Sequence, residues 1–129
     1  MTKKEIRRKW VAALRSGEYE QGRFSLRTSD NKYCCLGVLC EVAVKERKIP
    51  RPVAKKEVYE FSGNTGHLPS NVMHWVGLRT SSGEYYEGRK LTGLTAENDW
   101  NGKDFNQIAD IIESEPEGLF VKETDEDTN

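Results

Sequence analysis

Apolar residues that recur every three or four positions predict two amphipathic helices, one near each end of the chain. The first covers residues 2–16 and the second covers residues 104–113. Their apolar faces consist of Ile6, Trp10, Ala13 and Leu14 in the first helix, and of Phe105, Ile108, Ala109 and Ile112 in the second. Each begins with the spacing of a capping box, in which side chains satisfy free amides of the first turn: Thr2 with Glu5, and Asp104 with Gln107.

Two more helices are predicted in the middle of the chain. The most apolar stretch leads into a charged segment and indicates a buried helix from residue 34 or 35 to residue 47. We expect its inner face to consist of Leu36, Leu39, Cys40 and Ala43. Gly37 lies within this helix, which predicts the close approach of another backbone. A shorter helix is predicted at residues 69–77, where Gly77 ends it.

Alternating apolar and charged residues predict a half-buried strand at residues 23–28, with Phe24 and Leu26 facing inward. The remaining predictions are a strand at residues 57–61, a hairpin or surface loop at 79–89, a short edge strand at 119–121, and core contacts by Leu91 and Leu94.

These elements predict the α+β class: one domain at residues 1–121, with three or four helices packed on a small, mostly antiparallel sheet. The acidic, polar residues 122–129 predict a disordered tail.

Composition and charge exclude some classes of function. Apolar residues make up 36% of the chain and charged residues 32%, and no apolar run approaches the roughly 20 residues of a membrane helix. Residues 1–56 carry 15 Lys and Arg against 6 Asp and Glu, whereas residues 57–129 carry 5 against 15. This asymmetry indicates either a dipolar surface or two halves that dock on each other. A sequence pI of about 6.2 argues against general nucleic-acid binding.

Cysteine usage predicts a reducing environment. Three cysteines, two of them adjacent, do not form a disulfide framework. The basic N-terminal segment is not followed by the apolar stretch of a secretory signal. We therefore expect a cytoplasmic protein without membrane contact.

Several runs resemble small, uncharacterised proteins encoded by tailed bacteriophages and prophages. The most specific is Tyr33-Cys34-Cys35-Leu36-Gly37-Val38-Leu39-Cys40, preceded by residues 10–22. Other matching pieces are Leu68-Pro69, Trp75-Val76-Gly77-Leu78, Asn98-Asp99 and residues 105–110. The resemblance covers roughly residues 5–114 and implies a phage accessory protein, of the host-takeover or counter-defence kind, in the cytoplasm of an infected bacterium.

A cysteine-dependent hydrolase is one functional hypothesis. Cys34 or Cys35 opens a predicted helix, whose N-terminus can lower the pKa of a thiol. His67 or His74 would act as the base, and Asn98 or Asp99 would orient it. The alternative is that all three cysteines are small buried hydrophobic residues.

The sequence contains none of the usual motifs for binding a metal or a cofactor. The spacing of the cysteines fits no paired zinc knuckle, and the chain contains neither a P-loop nor a dinucleotide-binding glycine motif. We expect no metal and no cofactor.

A binding protein is the favoured hypothesis. Arginine can hold phosphate through two parallel hydrogen bonds, and exposed aromatic rings can stack on a base. The candidate ligand-binding residues are Arg23, Arg27, Lys32, Tyr33, Tyr85, Tyr86 and Trp100. The predicted partner is a host protein or a small phosphorylated ligand such as a nucleotide signal, and homo-oligomer formation stays open.

Overall fold

A computed structural model describes residues 1–122, and this part of the chain contains five helices and six short strands. The helices are α1 (Lys3–Arg15), α2 (Cys35–Lys45), α3 (Ser70–Val76), α4 (Leu94–Asp99) and α5 (Phe105–Ser114). The strands are β1 (Glu20–Gln21), β2 (Lys32–Tyr33), β3 (Val53–Ala54), β4 (Tyr59–Glu60), β5 (Glu84–Glu87) and β6 (Lys90–Gly93).

The strands pair two by two. Strands β1 and β2 are parallel, with Glu20 opposite Lys32. Strands β3 and β4 are antiparallel, and β5 and β6 form an antiparallel hairpin. The α+β class is confirmed, although the strands form three separate ribbons and the helices number five in the described residues. No helix within residues 1–122 has the length and apolar character needed to cross a membrane.

Helix α2 lies at the centre of the core. Eight of its residues are buried, including Leu36, Leu39 and Cys40. Helix α1 packs against α5, α2 and α3. The indole nitrogen of the fully buried Trp10 donates a hydrogen bond to the carbonyl oxygen of Cys35, 3.0 Å away. A polar indole group therefore enters the core without remaining unsatisfied.

The helix predictions agree closely with the structure. Both capping boxes are present, at Thr2 with Glu5 and at Asp104 with Gln107. Gly77 ends α3 in the left-handed conformation, as predicted. Of the two alternatives predicted for residues 79–89, the structure has a hairpin, β5–β6, although it extends to Gly93. A single bridge joins Phe120 to Leu78 where an edge strand was expected.

Two local predictions are wrong. Residues 23–28 form no extended strand, because Phe24 has a positive φ of 69° and its side chain is exposed; only Leu26 faces inward. Leu91 is exposed because it lies on the outer face of β6. The short helix α4 was not predicted from the sequence. The predicted tail lies outside the described residues from Glu123 onward.

Gly37 explains how residues 23–28 can cross the core helix. A Cβ added at this glycine would lie 1.6 Å from the carbonyl oxygen of Leu26 and 2.6 Å from its carbonyl carbon. Both atoms belong to the backbone and cannot rotate away. The predicted close approach of another backbone is confirmed, and no other residue type fits at this position.

We expect Gly37→Ala to lower the free energy of unfolding by at least about 3 kcal/mol, because overpacking in a rigid core is costly. Gly66→Ala is the matched control, since a Cβ there would meet its nearest atom at 3.8 Å. Urea unfolding of both variants measures the difference. Equal stability of the two variants would contradict the close packing of Leu26 on α2.

Candidate binding site

Asn98 and Asp99 join two surface loops to the start of α2. Both side chains are buried. The side-chain oxygen of Asn98 accepts hydrogen bonds from Gln21 Nε2 at 2.8 Å and from the amide of Cys35 at 3.3 Å. Its side-chain nitrogen donates to the carbonyl oxygen of Gly22 at 2.9 Å and to Asp99 Oδ1 at 2.8 Å. Every hydrogen-bonding capacity of this amide is therefore used.

The same network holds the backbone at Phe24. Asp99 Oδ1 accepts a hydrogen bond from the amide of Phe24 at 3.0 Å. Gln21 Nε2 also donates to the carbonyl oxygen of Lys103 at 2.9 Å. Phe24 has φ of 69°, a conformation that costs a bulky residue on the order of 1–3 kcal/mol. The buried amide and carboxylate thus fix a strained residue whose side chain points into solvent.

Phe24 begins an exposed apolar surface. Its ring meets that of Trp100 edge to face, with centroids 5.0 Å apart. Trp100 and Leu91 line the same shallow cleft. Leu91 pairs with Tyr86 across the β5–β6 hairpin, so these side chains share a face. The exposed fractions are 57% for Phe24, 74% for Trp100, 49% for Leu91 and 40% for Tyr86. We call these four residues the aromatic patch.

Charged residues of both signs border the aromatic patch. Arg23 is exposed and forms no ion pair within residues 1–122. It lines a cleft of about 210 Å³ together with Lys103 and Asp104. Glu84 lines the neighbouring cleft of about 280 Å³, beside Trp100. The surface therefore presents an apolar centre and a polar rim.

Glu97 supports the loop that carries Trp100. Its carboxylate accepts hydrogen bonds from Thr92 at 3.0 Å and Asn101 at 2.8 Å, and it lies 3.3 Å from Lys103 Nζ. Burial opposes the charge, but the hydrogen bonds from Asn101, Lys103 and Thr92 outweigh burial and lower the pKa of Glu97. The charge of Lys103 is thereby engaged within the loop.

Three of the predicted ligand-binding residues, Arg27, Lys32 and Tyr33, form a separate group. The guanidinium of Arg27 pairs with Glu41 at 3.1 Å and donates to Asn31. It also lies over the ring of Tyr59, 4.0 Å from the centroid. Lys32 Nζ lies 3.8 Å from Glu20, and Tyr33 is buried. The guanidinium of Arg27 is therefore engaged in contacts within the protein and is not available for paired hydrogen bonds to a phosphate.

Only Arg23, Tyr86 and Trp100 among the predicted binding residues lie on the surface built around the aromatic patch. Tyr85 is buried, and burial raises its pKa to about 12. Phe24 and Leu91 were expected in the core. Alternation along a chain cannot reveal the left-handed conformation of Phe24, nor can it show that Leu91 lies on the uncovered face of β6. Arg23, Tyr86 and Trp100 were the residues by which the sequence indicated this surface.

The cysteines and histidines do not form a catalytic arrangement. Cys34 precedes α2, where backbone amides of Gly37 and Leu36 favour a thiolate, yet burial dominates and raises its pKa to about 11. The pKa values of Cys35 and Cys40 are also raised well above the usual value by burial. His67 and His74 are exposed. Within residues 1–122, no hydrogen bond joins a cysteine to either histidine.

We expect Asn98→Ala to lower the free energy of unfolding by about 3 kcal/mol, because it leaves several buried polar groups unsatisfied. Asn106→Ala is the matched control, since Asn106 is exposed on α5. Chemical denaturation followed by circular dichroism measures both. Similar stability of the two variants would show that the Asn98 network is dispensable.

The raised pKa of Cys34, about 11, predicts alkaline destabilisation. Its stabilising contribution is complete well below about pH 8.5, the pKa of an unfolded thiol, and is lost as the pH rises from there toward the folded pKa. Over that interval, unfolding free energy should fall less steeply in Cys34→Ala than in the wild type, by about 1.4 kcal/mol per pH unit. Parallel pH profiles would mean that the thiol ionises equally in both states.

Comparison with known proteins identifies the family of the chain but indicates neither a reaction nor a ligand. No curated protein and no solved structure matches the chain. A family model described as a domain of unknown function, DUF8296, matches residues 2–116, a segment that contains α1 to α5 and the whole aromatic patch. The chain therefore belongs to the DUF8296 family.

Proposed function

We propose that this protein is a non-catalytic phage accessory protein that binds a protein of the bacterial host through the aromatic patch and Arg23. The observation that carries the proposal is the exposed Phe24–Trp100 pair, held in place by the buried Asn98 and Asp99. The phage origin rests on the resemblance of residues 33–40 and its neighbouring runs. The host-takeover or counter-defence role and the host cytoplasm as its location follow from that origin.

A binding role is favoured over hydrolysis by the state of the thiols. A nucleophilic cysteine needs a depressed pKa and access to substrate. Cys34 has a pKa raised to about 11 by burial, and the histidines are exposed. Rapid labelling of a native thiol at neutral pH would restore the hydrolase hypothesis.

The form of the patch favours a protein over a small ligand. Small-molecule sites are concave, with volumes of roughly 300–1,000 Å³. The clefts beside the patch measure about 210 and 280 Å³, and the rings of Phe24 and Trp100 project outward from them. Contiguous exposed apolar surface with a polar rim is typical of protein interfaces.

The charges around the patch favour a protein over a nucleic acid. Glu84 and Asp104 lie beside Arg23 and Trp100, and these carboxylates would repel a phosphate backbone. Tryptophan, tyrosine and arginine are the side chains most enriched among residues that dominate binding energy. We expect the partner to offer an apolar recess to Trp100 and a carboxylate to Arg23.

The backbone strain at Phe24 provides further support. Phe24→Gly would remove the cost of the positive φ and lose a ring contact worth about 0.5–1.5 kcal/mol. These effects nearly cancel, so a phenylalanine is not required there for stability. Strained residues of this kind cluster at binding and catalytic sites.

The test compares capture of bacterial proteins by the full chain and by two single variants, Trp100→Ala and Phe24→Gly. Val53→Ala is the control, because Val53 is 56% exposed and belongs to the β3–β4 ribbon. We expect a partner to be retained by the wild type and the control and lost by the patch variants. With that partner purified, Trp100→Ala should weaken binding about 30-fold, the equivalent of a 2 kcal/mol hot spot.

Two outcomes would overturn the proposal. Equal capture by the wild type and the patch variants would place any interface elsewhere. A wild-type dimer in sedimentation, converted to monomer by Trp100→Ala, would make the patch a contact between two copies of this chain.

A further inference from the structure

A second surface site lies at the opposite end of α2 from the aromatic patch. Lys45, Arg47, Lys48 and Arg51 line a cleft of about 680 Å³ whose apolar wall is formed by Val44, Ile49 and Pro50. We call it the basic cleft. Helix α2 has 11 residues, so the cleft is roughly 16 Å from the helix end that Asn98 contacts. The two surfaces are therefore distinct.

Three of the four cations of the basic cleft are not paired with a carboxylate within residues 1–122. None of the residues that line it is acidic. Glu46 pairs with Lys9 and Glu41 pairs with Arg27. Of the four cations, Lys45 also has a raised pKa, caused by Tyr19 and then by Glu18 and Glu41. Within residues 1–122, the side chains of Arg47, Lys48 and Arg51 form no hydrogen bond or ion pair. Clustered like charges repel one another until an anion joins them.

The backbone at Arg47 makes this arrangement more specific. Helix α2 ends in a Schellman motif: the amide of Arg47 bonds to the carbonyl oxygen of Val44 at 3.0 Å, and the amide of Lys48 bonds to that of Ala43 at 2.8 Å. Arg47 occupies the left-handed position with φ of 59°. Glycine is strongly preferred there, because a Cβ is unfavourable in this conformation. The cleft thus contains an arginine where stability alone favours glycine.

Helix capping accounts for only part of the basic cleft. Cations near a helix C-terminus interact favourably with the helix dipole, and this explains Lys45. Lys45 is also held over the ring of Tyr19, with Nζ 5.5 Å from the centroid. Arg51 lies beyond the last turn, and the dipole effect falls off within that turn. It nonetheless lines the same cleft as Arg47 and Lys48.

We infer that the basic cleft binds a small polyanion carrying linked phosphate groups. Arginine forks match phosphate oxygens in pairs, and lysine adds further charge. The volume of about 680 Å³ falls within the range of small-molecule sites. A single phosphate would engage only part of the four cations, whereas a chain of two or three phosphates can meet all of them.

The test measures binding of inorganic tripolyphosphate to the full chain by titration calorimetry at low salt. The test variant is Arg47→Gly/Arg51→Gln. The matched control is Arg89→Gln/Lys90→Gln, which removes the same charge from two exposed residues of the β5–β6 turn. We expect the control to bind like the wild type and the test variant to bind at least tenfold more weakly. The single variant Arg47→Gly should also bind more weakly while unfolding at the same temperature or higher.

The proposal is overturned if the wild type does not bind tripolyphosphate, or if the test variant retains wild-type affinity. Equal weakening in the test and control variants would also overturn it, because net charge alone would then explain the attraction. Arg47→Lys separates charge from geometry, and an affinity between those of the wild type and Arg47→Gly is expected. Because no step depends on the aromatic patch, Trp100→Ala should bind tripolyphosphate normally.

Discussion

The hydrogen bond from the amide of Cys35 to Asn98 is the contact on which the organisation of the molecule depends. Helix α2 has no side-chain cap of its own, because the thiol of Cys34 does not bond to the first turn in the way that serine or aspartate does. The side-chain oxygen of Asn98, 63 positions further along the chain, accepts the hydrogen bond from the Cys35 amide instead. The central helix therefore begins correctly only when α4 and the loop after β1 are in place.

This dependence connects the core to the surface. Asn98 Oδ1 accepts from the amide of Cys35, while Asn98 Nδ2 donates to the carbonyl oxygen of Gly22 and to Asp99 Oδ1. Asp99 Oδ1 in turn accepts from the amide of Phe24. Gly37, two residues further along the helix than Cys35, admits the carbonyl of Leu26. The backbone between Gly22 and Leu26 is consequently fixed at both ends, and the side chain of Phe24 between them is exposed to solvent. A rigid support for an exposed ring lowers the entropic cost of binding a partner.

The two proposed sites share a physical signature. Phe24 and Arg47 both occupy left-handed backbone positions with side chains that make such positions unfavourable. At Phe24 the conformation is enforced by a buried carboxylate, and at Arg47 by the end of a helix. In each case the side chain points to solvent at one of the two proposed binding surfaces. One surface is apolar with a mixed rim, whereas the other is uniformly basic.

The sequence by itself determined the α+β class, four of the five helices, both capping boxes and the close contact at Gly37, because these follow from local spacing and backbone stereochemistry. Only the tertiary structure decided the ionisation, the pairing and the exposure of the candidate functional side chains. Cys34 is at a helix N-terminus as predicted, but burial raises its pKa to about 11. The guanidinium of Arg27 forms an ion pair with Glu41, and the side chain of Phe24 is exposed to solvent. Whether a thiol ionises, a guanidinium is free or a ring is exposed depends on which distant residues pack around it, and no periodicity along the chain encodes that packing.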